Sequence, residues 1–125
     1  MKTEAFGNSD VLELSEAIEL FSHIEHQKDI EDEDYDFLYA DMVDYAIQYS
    51  SIRSRWNLMT KEERNEKDSS RTSTHNAFIR SCDALARYMA KIGKDYSWRE
   101  RLGLDRKKVG DFACWICSII AIRAR

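Results

Sequence analysis

The sequence contains no proline, only four glycines and three cysteines, and no long apolar run. Without proline or a glycine repeat it is not collagen-like, and 43% hydrophobic residues exclude a disordered chain. The longest apolar stretch, Phe112 to Ile122, is interrupted by Ser118 and is much shorter than the ~20 residues of a membrane-spanning helix. We therefore expect no association with a membrane.

Cysteine content and the opening residues bear on the compartment. Three cysteines cannot all pair within one chain, and the first ten residues lack the continuous apolar stretch of a secretory signal. These features predict a reduced, cytoplasmic setting.

The spacing of apolar residues predicts the fold. A chain of 125 residues makes one domain and can bury a core without a disulfide or a structural metal. Apolar residues recur every three or four positions, and no stretch alternates as a strand does. We expect a single all-α domain over residues 1–125, with a flexible N-terminus at 1–8. It should be a bundle of four main helices with one or two short connecting helices and the apolar C-terminal helix at its centre.

The first half of the chain predicts two helices. Asp10 and Glu13 have the spacing of a capping box, which opens a first helix ending near Lys28. The acidic run at 31–36 favours the start of a long second helix, because carboxylates stabilise the positive end of the helix dipole. The residues expected to be buried are Val11, Leu14, Ile18, Phe21 and Ile24 in the first helix, and Tyr35, Leu38, Met42, Tyr45, Tyr49, Ile52, Trp56 and Met59 in the second.

The second half predicts two more helices. Thr60 and Glu63 form a capping box over residues 61–68, which have no apolar face, so we expect a short exposed helix or a linker there. A third helix should start at the serines 69–70 and end at Gly93. Expected buried residues are Phe78, Cys82, Leu85, Met89 and Ile92 in this helix, and Val109, Phe112, Trp115, Ile116, Ile119 and Ile122 in a last helix capped by Asp105.

Charge is distributed unevenly along the chain. Residues 1–44 contain two lysines and fourteen carboxylates, a formal charge of −12. Residues 45–125 contain seventeen lysines and arginines and nine carboxylates, a formal charge of +8. Such polarity suggests a charged partner surface. The alternative is that the two halves neutralise each other when the chain folds.

The acidic run is one candidate binding surface. It lacks the glycine and the final glutamate of an EF-hand loop, where Phe37 and Val43 stand instead, so we expect no calcium site. Carboxylates spaced like phosphates can occupy the nucleic-acid channel of another protein. Otherwise they are a solvated helix start. The expected acidic face comprises Glu31, Asp32, Glu33, Asp34, Asp36, Asp41 and Asp44.

The stretch at 94–108 is a second candidate surface. Its cations are interleaved with aromatic residues, the combination that single-stranded nucleic acid or an acidic protein surface requires. The alternative is that Trp98 closes one end of the bundle and the cations are solvated. The expected basic and aromatic face comprises Tyr96, Trp98, Arg99, Arg101, Arg106, Lys107 and Lys108.

His75 is the only histidine beside a candidate catalytic cluster. An arginine followed at a short interval by a histidine is the active pair of the helical ribonucleases of the HEPN superfamily, but the interval from Arg71 is one residue short. Asp83 also has the spacing to pair with Arg80 and Arg87 in an ordinary surface ladder. We expect no catalytic residues and keep a ribonuclease as the third hypothesis.

Cys114 and Cys117 form a CxxC motif inside the most apolar helix. Redox pairs of this type lie at helix N-termini, where the thiolate is stabilised, whereas burial raises the thiol pKa. A zinc site needs four ligands, and His75 and Cys82 are about 10 Å apart on one helix face, too far to share an ion. We expect core cysteines, with no metal and no cofactor.

Three segments carry a family resemblance: RTSTHNAFIRSC at 71–82, WRERLGLDRKKVGDFAC at 98–114 and IRAR at 122–125. They resemble a small family of helical proteins of Gram-positive bacteria and their mobile elements. The resemblance transfers no activity and no functional residues. It implies a setting, because small proteins of phages and plasmids often inhibit or regulate host machinery.

Charge and resemblance together predict binding rather than catalysis. We expect a regulator or inhibitor with a protein partner, which could be a host protein that handles nucleic acid. An anti-CRISPR protein is one example of such an inhibitor. The second hypothesis is a nucleic-acid-binding module that uses residues 94–108.

Overall fold

Five α-helices make up most of residues 11–124, the part of the chain that the computed structural model describes. They are α1 (Leu14–His26), α2 (Glu33–Arg55), α3 (Lys61–Lys91), α4 (Ser97–Leu102) and α5 (Arg106–Arg123), and a single 3-10 turn, Trp56–Leu58, follows α2. Residues 11–124 contain no strand, which confirms the all-α bundle of four main helices with short connecting helices. The expected flexible segment at 1–8 and the capping role of Asp10 lie outside the described residues.

α2 and α3 form an antiparallel hairpin that runs the length of the bundle. Asp32 caps α2 by accepting a hydrogen bond from the Tyr35 backbone N–H at 3.1 Å, so the acidic run starts this helix as predicted. Tyr88, near the end of α3, donates its hydroxyl to Asp32 at 2.8 Å. Near the opposite end of the pair, Tyr49 stacks on His75.

α3 is much longer than predicted. Both hydrogen bonds of the capping box between Thr60 and Glu63 are present, but the helix then continues without interruption for 31 residues. The prediction of a separate short helix or linker at 61–68, with a new helix starting at Ser69 or Ser70, is therefore wrong. Once a helix is nucleated, each added residue costs little, and this segment contains no glycine or proline to stop it.

The end of α3 is the predicted glycine stop. Gly93 has φ of +77°, and its N–H donates to the Ala90 carbonyl at 3.2 Å. The Lys94 N–H donates to the Met89 carbonyl at 2.8 Å, which completes a Schellman motif. The left-handed backbone at Gly93 is the conformation that favours glycine.

α1 buries only part of the predicted face: Phe21 and Ile24 are buried as predicted. Val11, Leu14 and Ile18 are exposed. The segment begins with an anchor to α5: the Leu12 N–H donates to Asp111 at 3.1 Å, and the Trp115 indole donates to the Leu12 carbonyl at 2.8 Å. This anchor fixes Leu12 against α5 directly before α1 begins. The buried residues here are Leu12, Ala17, Leu20, Phe21 and Ile24.

α5 packs against α1, α2 and α3, in agreement with its predicted central position. Its last turn leaves the core, because Ile122 is 63% exposed, and Trp115 is only half-buried. Within residues 11–124, no helix is both long and apolar enough to cross a membrane. Predicted core residues that are buried in α2, α3 and α5 are Tyr35, Met42, Tyr49, Phe78, Cys82, Leu85, Met89, Val109, Phe112, Ile116 and Ile119.

Candidate binding sites

The exposed side of α2 carries part of the predicted acidic face. Asp34, Asp41 and Asp44 lie at intervals of seven and three residues, which places them on one side of the helix. Together with Glu33, they form no ion pair with any residue between 11 and 124. Phe37 lies between them and is 69% exposed. We call Glu33, Asp34, Phe37, Asp41 and Asp44 the acidic α2 face.

Two predicted members of the acidic face, Asp32 and Asp36, bind groups of the same molecule. Asp32 holds the Tyr35 N–H and the Tyr88 hydroxyl, and these hydrogen bonds lower the pKa of its carboxyl below the usual value. Asp36 pairs with Lys28 at 2.8 Å. Glu31 is exposed in the turn that precedes α2. The acidic surface is therefore smaller than the sequence predicted, and exposed Phe37 is the member that the charge pattern missed.

The predicted stacking role of Trp98 is wrong. Its side chain is 1% exposed, its indole N–H donates to the Met89 sulfur at 3.2 Å, and its ring packs against Phe112. Trp98 anchors the short helix α4 to the core. A nucleobase cannot reach it.

The cations of the 94–108 stretch point to different parts of the molecule. Arg99 pairs with Asp83 at 2.7 Å, so Asp83 does not form the expected ladder on α3. Arg101 pairs with Glu16 and Glu19 of α1, at 3.6 and 3.2 Å. Because α4 lies between α1 and α3, cations only two residues apart face different helices. The stretch forms no continuous basic and aromatic face.

The other members of this predicted face are also separated. Tyr96 is partly exposed in the turn before α4. Lys108 donates to the Arg101 carbonyl at 3.4 Å. Arg106 and Lys107, at the start of α5, line a cleft with residues of α2 and α3.

This basic cleft has a volume of about 450 Å³. Four cations line it: one from α2, one from α3 and two from α5. No carboxylate lines it. Its lining residues are Tyr49, Arg53, Arg71, Thr72, His75, Arg106 and Lys107.

Arg53 is held at the cleft by α5. Its guanidinium donates to Asp111 at 2.5 Å, and the same carboxylate accepts the Leu12 N–H. Gly110 makes this approach possible, because a Cβ there would lie 2.9 Å from both the Arg53 Nη1 and the Tyr49 hydroxyl. The helix contact that forms one wall of the cleft therefore depends on a residue without a side chain.

His75 forms another wall of the cleft, where its ring is held by contacts with α2 and α5. Its ring stacks on Tyr49 with centroids 4.6 Å apart, and its Nε2 lies 2.9 Å from the Arg106 carbonyl. Since a carbonyl only accepts, Nε2 carries the proton. Burial lowers the pKa of His75, the hydrogen bond to the Arg106 carbonyl opposes this shift, and the charges of Arg106, Arg53 and Arg71 lower the pKa further, so that it lies below its ordinary value.

The arginines around His75 are in contact with other side chains. Arg71 stacks over Trp56 with its guanidinium carbon 4.3 Å from the ring centroid. The Nδ1 of His75 lies 3.5 Å from a guanidinium nitrogen of Arg106, which in turn donates to Asn76 at 2.8 Å. The absence of an enzymatic activity stays a prediction.

The three cysteines differ in burial. Cys82 is fully buried, and burial raises the pKa of its thiol. Cys114 and Cys117 are half-buried on α5, and burial also raises the pKa of Cys114 despite the nearby Arg53. Within residues 11–124, no group of three or more histidines, cysteines and carboxylates is arranged to hold a metal ion.

Comparison with known proteins found no matching family model, no similar curated protein and no similar solved structure. Function must therefore be inferred from the chemistry of the acidic α2 face and the basic cleft.

Proposed function

We propose that the protein is a non-enzymatic regulator or inhibitor that binds a basic surface of a partner protein through the acidic α2 face. The observation that carries this proposal is Phe37, a large apolar side chain 69% exposed among carboxylates that form no ion pair with residues 11–124. Protein interfaces commonly combine an aromatic anchor with a charged rim. The carboxylates supply attraction at long range, and Phe37 supplies apolar area on contact.

The distribution of ion pairs supports this choice of surface. The acids of α1 are neutralised by cations of the C-terminal half, as in the pairs of Glu19 with Arg101 and Glu25 with Arg123. The carboxylates of the acidic α2 face form no ion pair with residues 11–124. Asp34 and Arg53 lie about 28 Å apart along α2, so the acidic face and the basic cleft remain separate. Folding therefore neutralises part of the chain's polarity and leaves a field that can steer a charged partner.

Inhibition of a host defence protein remains a prediction from the resemblance to proteins of mobile elements. A protein with a basic nucleic-acid channel would offer the surface that the acidic α2 face requires. An anti-CRISPR protein would act on such a target.

The proposal is tested by charge reversal on the acidic α2 face. The full chain, tagged, would be incubated with a nuclease-treated bacterial lysate, and the bound proteins would be identified and purified. We expect the double variant Asp41→Lys, Asp44→Lys and the single variant Phe37→Ala each to bind the captured protein roughly 10- to 100-fold more weakly. The association rate of the unchanged chain with the captured protein should fall as the salt concentration is raised.

The matched control reverses two carboxylates elsewhere. Glu66 of α3 and Glu100 of α4 are exposed and form no ion pair with residues 11–124, so the double variant Glu66→Lys, Glu100→Lys makes the same change in net charge. It should bind normally. Equal binding by both double variants, or equal loss in both, would show that the acidic α2 face is not the binding surface.

A further inference from the structure

The basic cleft gathers four cations around one cavity, and the proposed role of the acidic α2 face gives these cations no function. Arg53, Arg71, Arg106 and Lys107 line one cavity without a carboxylate among its lining residues. Asp111 pairs with Arg53 and Asp68 lies 3.5 Å from Arg71, whereas Arg106 and Lys107 form no ion pair with residues 11–124. Like charges held close together repel one another, and a bound anion reduces the repulsion that these two carboxylates leave. The cavity of about 450 Å³ is within the usual size of small-molecule sites.

Two arginines of the cleft have unused hydrogen-bond donors. The Nη1 of Arg53 and the Nε of Arg71 are buried nitrogens without a hydrogen-bond partner. Buried donors are almost always satisfied in folded proteins, so an unpartnered one needs an explanation. Both arginines line the cleft, so the oxygens of an anion bound there would supply the missing acceptors after small movements of the two side chains.

The arginine side chains are held in place before any ligand arrives. Asp111 fixes Arg53 at 2.5 Å, the Trp56 ring supports Arg71, and Asn76 accepts from Arg106 at 2.8 Å. Fixed arginines lose little side-chain entropy on binding an anion. Their planar donor groups match the oxygens of a phosphate.

We propose that the basic cleft is a binding site for the phosphate group of a small molecule, either inorganic phosphate or a mononucleotide. Arg53, Arg71 and Arg106 donate hydrogen bonds to the phosphate oxygens, and Lys107 contributes charge. The site is independent of the acidic α2 face, so either proposal can fail without the other.

The test measures binding of two probes, sodium phosphate and adenosine monophosphate, by calorimetry at constant ionic strength set with sodium chloride. Arg106→Gln and Lys107→Gln remove cleft cations at exposed positions and should each weaken binding roughly tenfold. The matched control is Arg87→Gln, an exposed arginine of α3 that does not line the cleft. It should bind both probes as the unchanged chain does.

A second readout is the pKa of His75, measured by NMR titration of the histidine ring signals. The ring faces Tyr49 and Arg53 of α2, Arg71 of its own helix, and Arg106 and Lys107 of α5. A phosphate among these cations favours the imidazolium form, so saturating phosphate should raise this pKa. The histidines of α1 serve as internal references and should not shift.

The two probes separate the sources of the phosphate group. Equal affinity for both means that the cleft recognises phosphate alone, and at least tenfold tighter binding of the nucleotide means that the rest of the cavity holds the nucleoside. Each result supports the proposal. It is overturned if neither probe binds, if Arg87→Gln weakens binding as much as the cleft variants, or if the pKa of His75 is unchanged at saturation.

Discussion

Asp111 shows how much of this molecule depends on one buried carboxylate. It accepts from the guanidinium of Arg53 and from the Leu12 N–H, and so joins α5 to α2 and to the segment before α1. Its side chain is only 11% exposed. A buried ion pair adds little stability compared with apolar residues, but the loss of one partner leaves the other charge uncompensated.

We therefore expect Asp111→Ala to lower the free energy of unfolding by about 3 to 5 kcal/mol. Asp68→Ala removes a carboxylate that is 62% exposed and lies 3.5 Å from Arg71, and it should change stability by less than about 0.5 kcal/mol. Urea unfolding followed by circular dichroism measures both. Equal effects of the two substitutions would mean that the pair with Arg53 is not a structural joint.

At the scale of elements, α3 shows that a helix need not have an apolar face along its whole length. Its first half is largely exposed, and its contacts there include the Arg64 guanidinium on the Trp56 carbonyl at 2.8 Å. The start of this helix is determined by the capping box at Thr60 rather than by the serines at 69–70. The two possible starts make opposite predictions for alanine substitutions.

Thr60→Ala should lower the free energy of unfolding by about 1 kcal/mol, because the Glu63 N–H loses its acceptor. Ser69→Ala lies in the exposed middle of the helix, where alanine is the better helix former, and should leave stability equal or slightly higher. Urea unfolding of the two variants decides between the starts. If Ser69→Ala lowered the free energy of unfolding and Thr60→Ala did not, the continuous helix from Lys61 to Lys91 would be contradicted.

At the scale of the whole molecule, the pH dependence of stability reports on contacts between helices that are distant in sequence. Glu25 of α1 accepts hydrogen bonds from Tyr39 of α2 at 2.7 Å and from Arg123 of α5 at 2.8 Å. Burial alone would raise the pKa of Glu25, but these hydrogen bonds outweigh it, and the pKa lies below the ordinary 4.5.

The sign of the effect on stability follows from that lowered pKa. Above pH 4.5 the contribution of Glu25 is fully present, and it is lost as the pH falls through the lower pKa of the folded state. Glu25→Gln should therefore lose less stability than the unchanged chain between about pH 5 and pH 3. Glu100→Gln, at an exposed residue without an ion pair in 11–124, is the control and should follow the unchanged chain. Urea unfolding at a series of pH values measures the free energy of unfolding. If it falls with pH equally in Glu25→Gln and in the unchanged chain, this account is contradicted.

Local sequence determined the helical class, the caps at Thr60 and Asp105, and the glycine stop at Gly93. These features depend on residues within one turn of each other, so spacing and residue type are sufficient to predict them. The same reasoning found the acidic start of α2. It found Phe21 and Ile24 on the buried face of α1 but wrongly added Val11, Leu14 and Ile18. Spacing within this segment does not show that Leu12 is anchored to a helix about a hundred residues later.

Only the tertiary structure decided which charged residues form a surface. The stretch at 94–108 is continuous in sequence, but its chain turns at α4, and the burial of Trp98 directs neighbouring cations to different helices. The basic cleft instead gathers Arg53, Arg71 and Arg106, which are distant in sequence and lie on three helices. Local spacing predicts neighbours within one helix, whereas packing between helices decides which distant side chains meet.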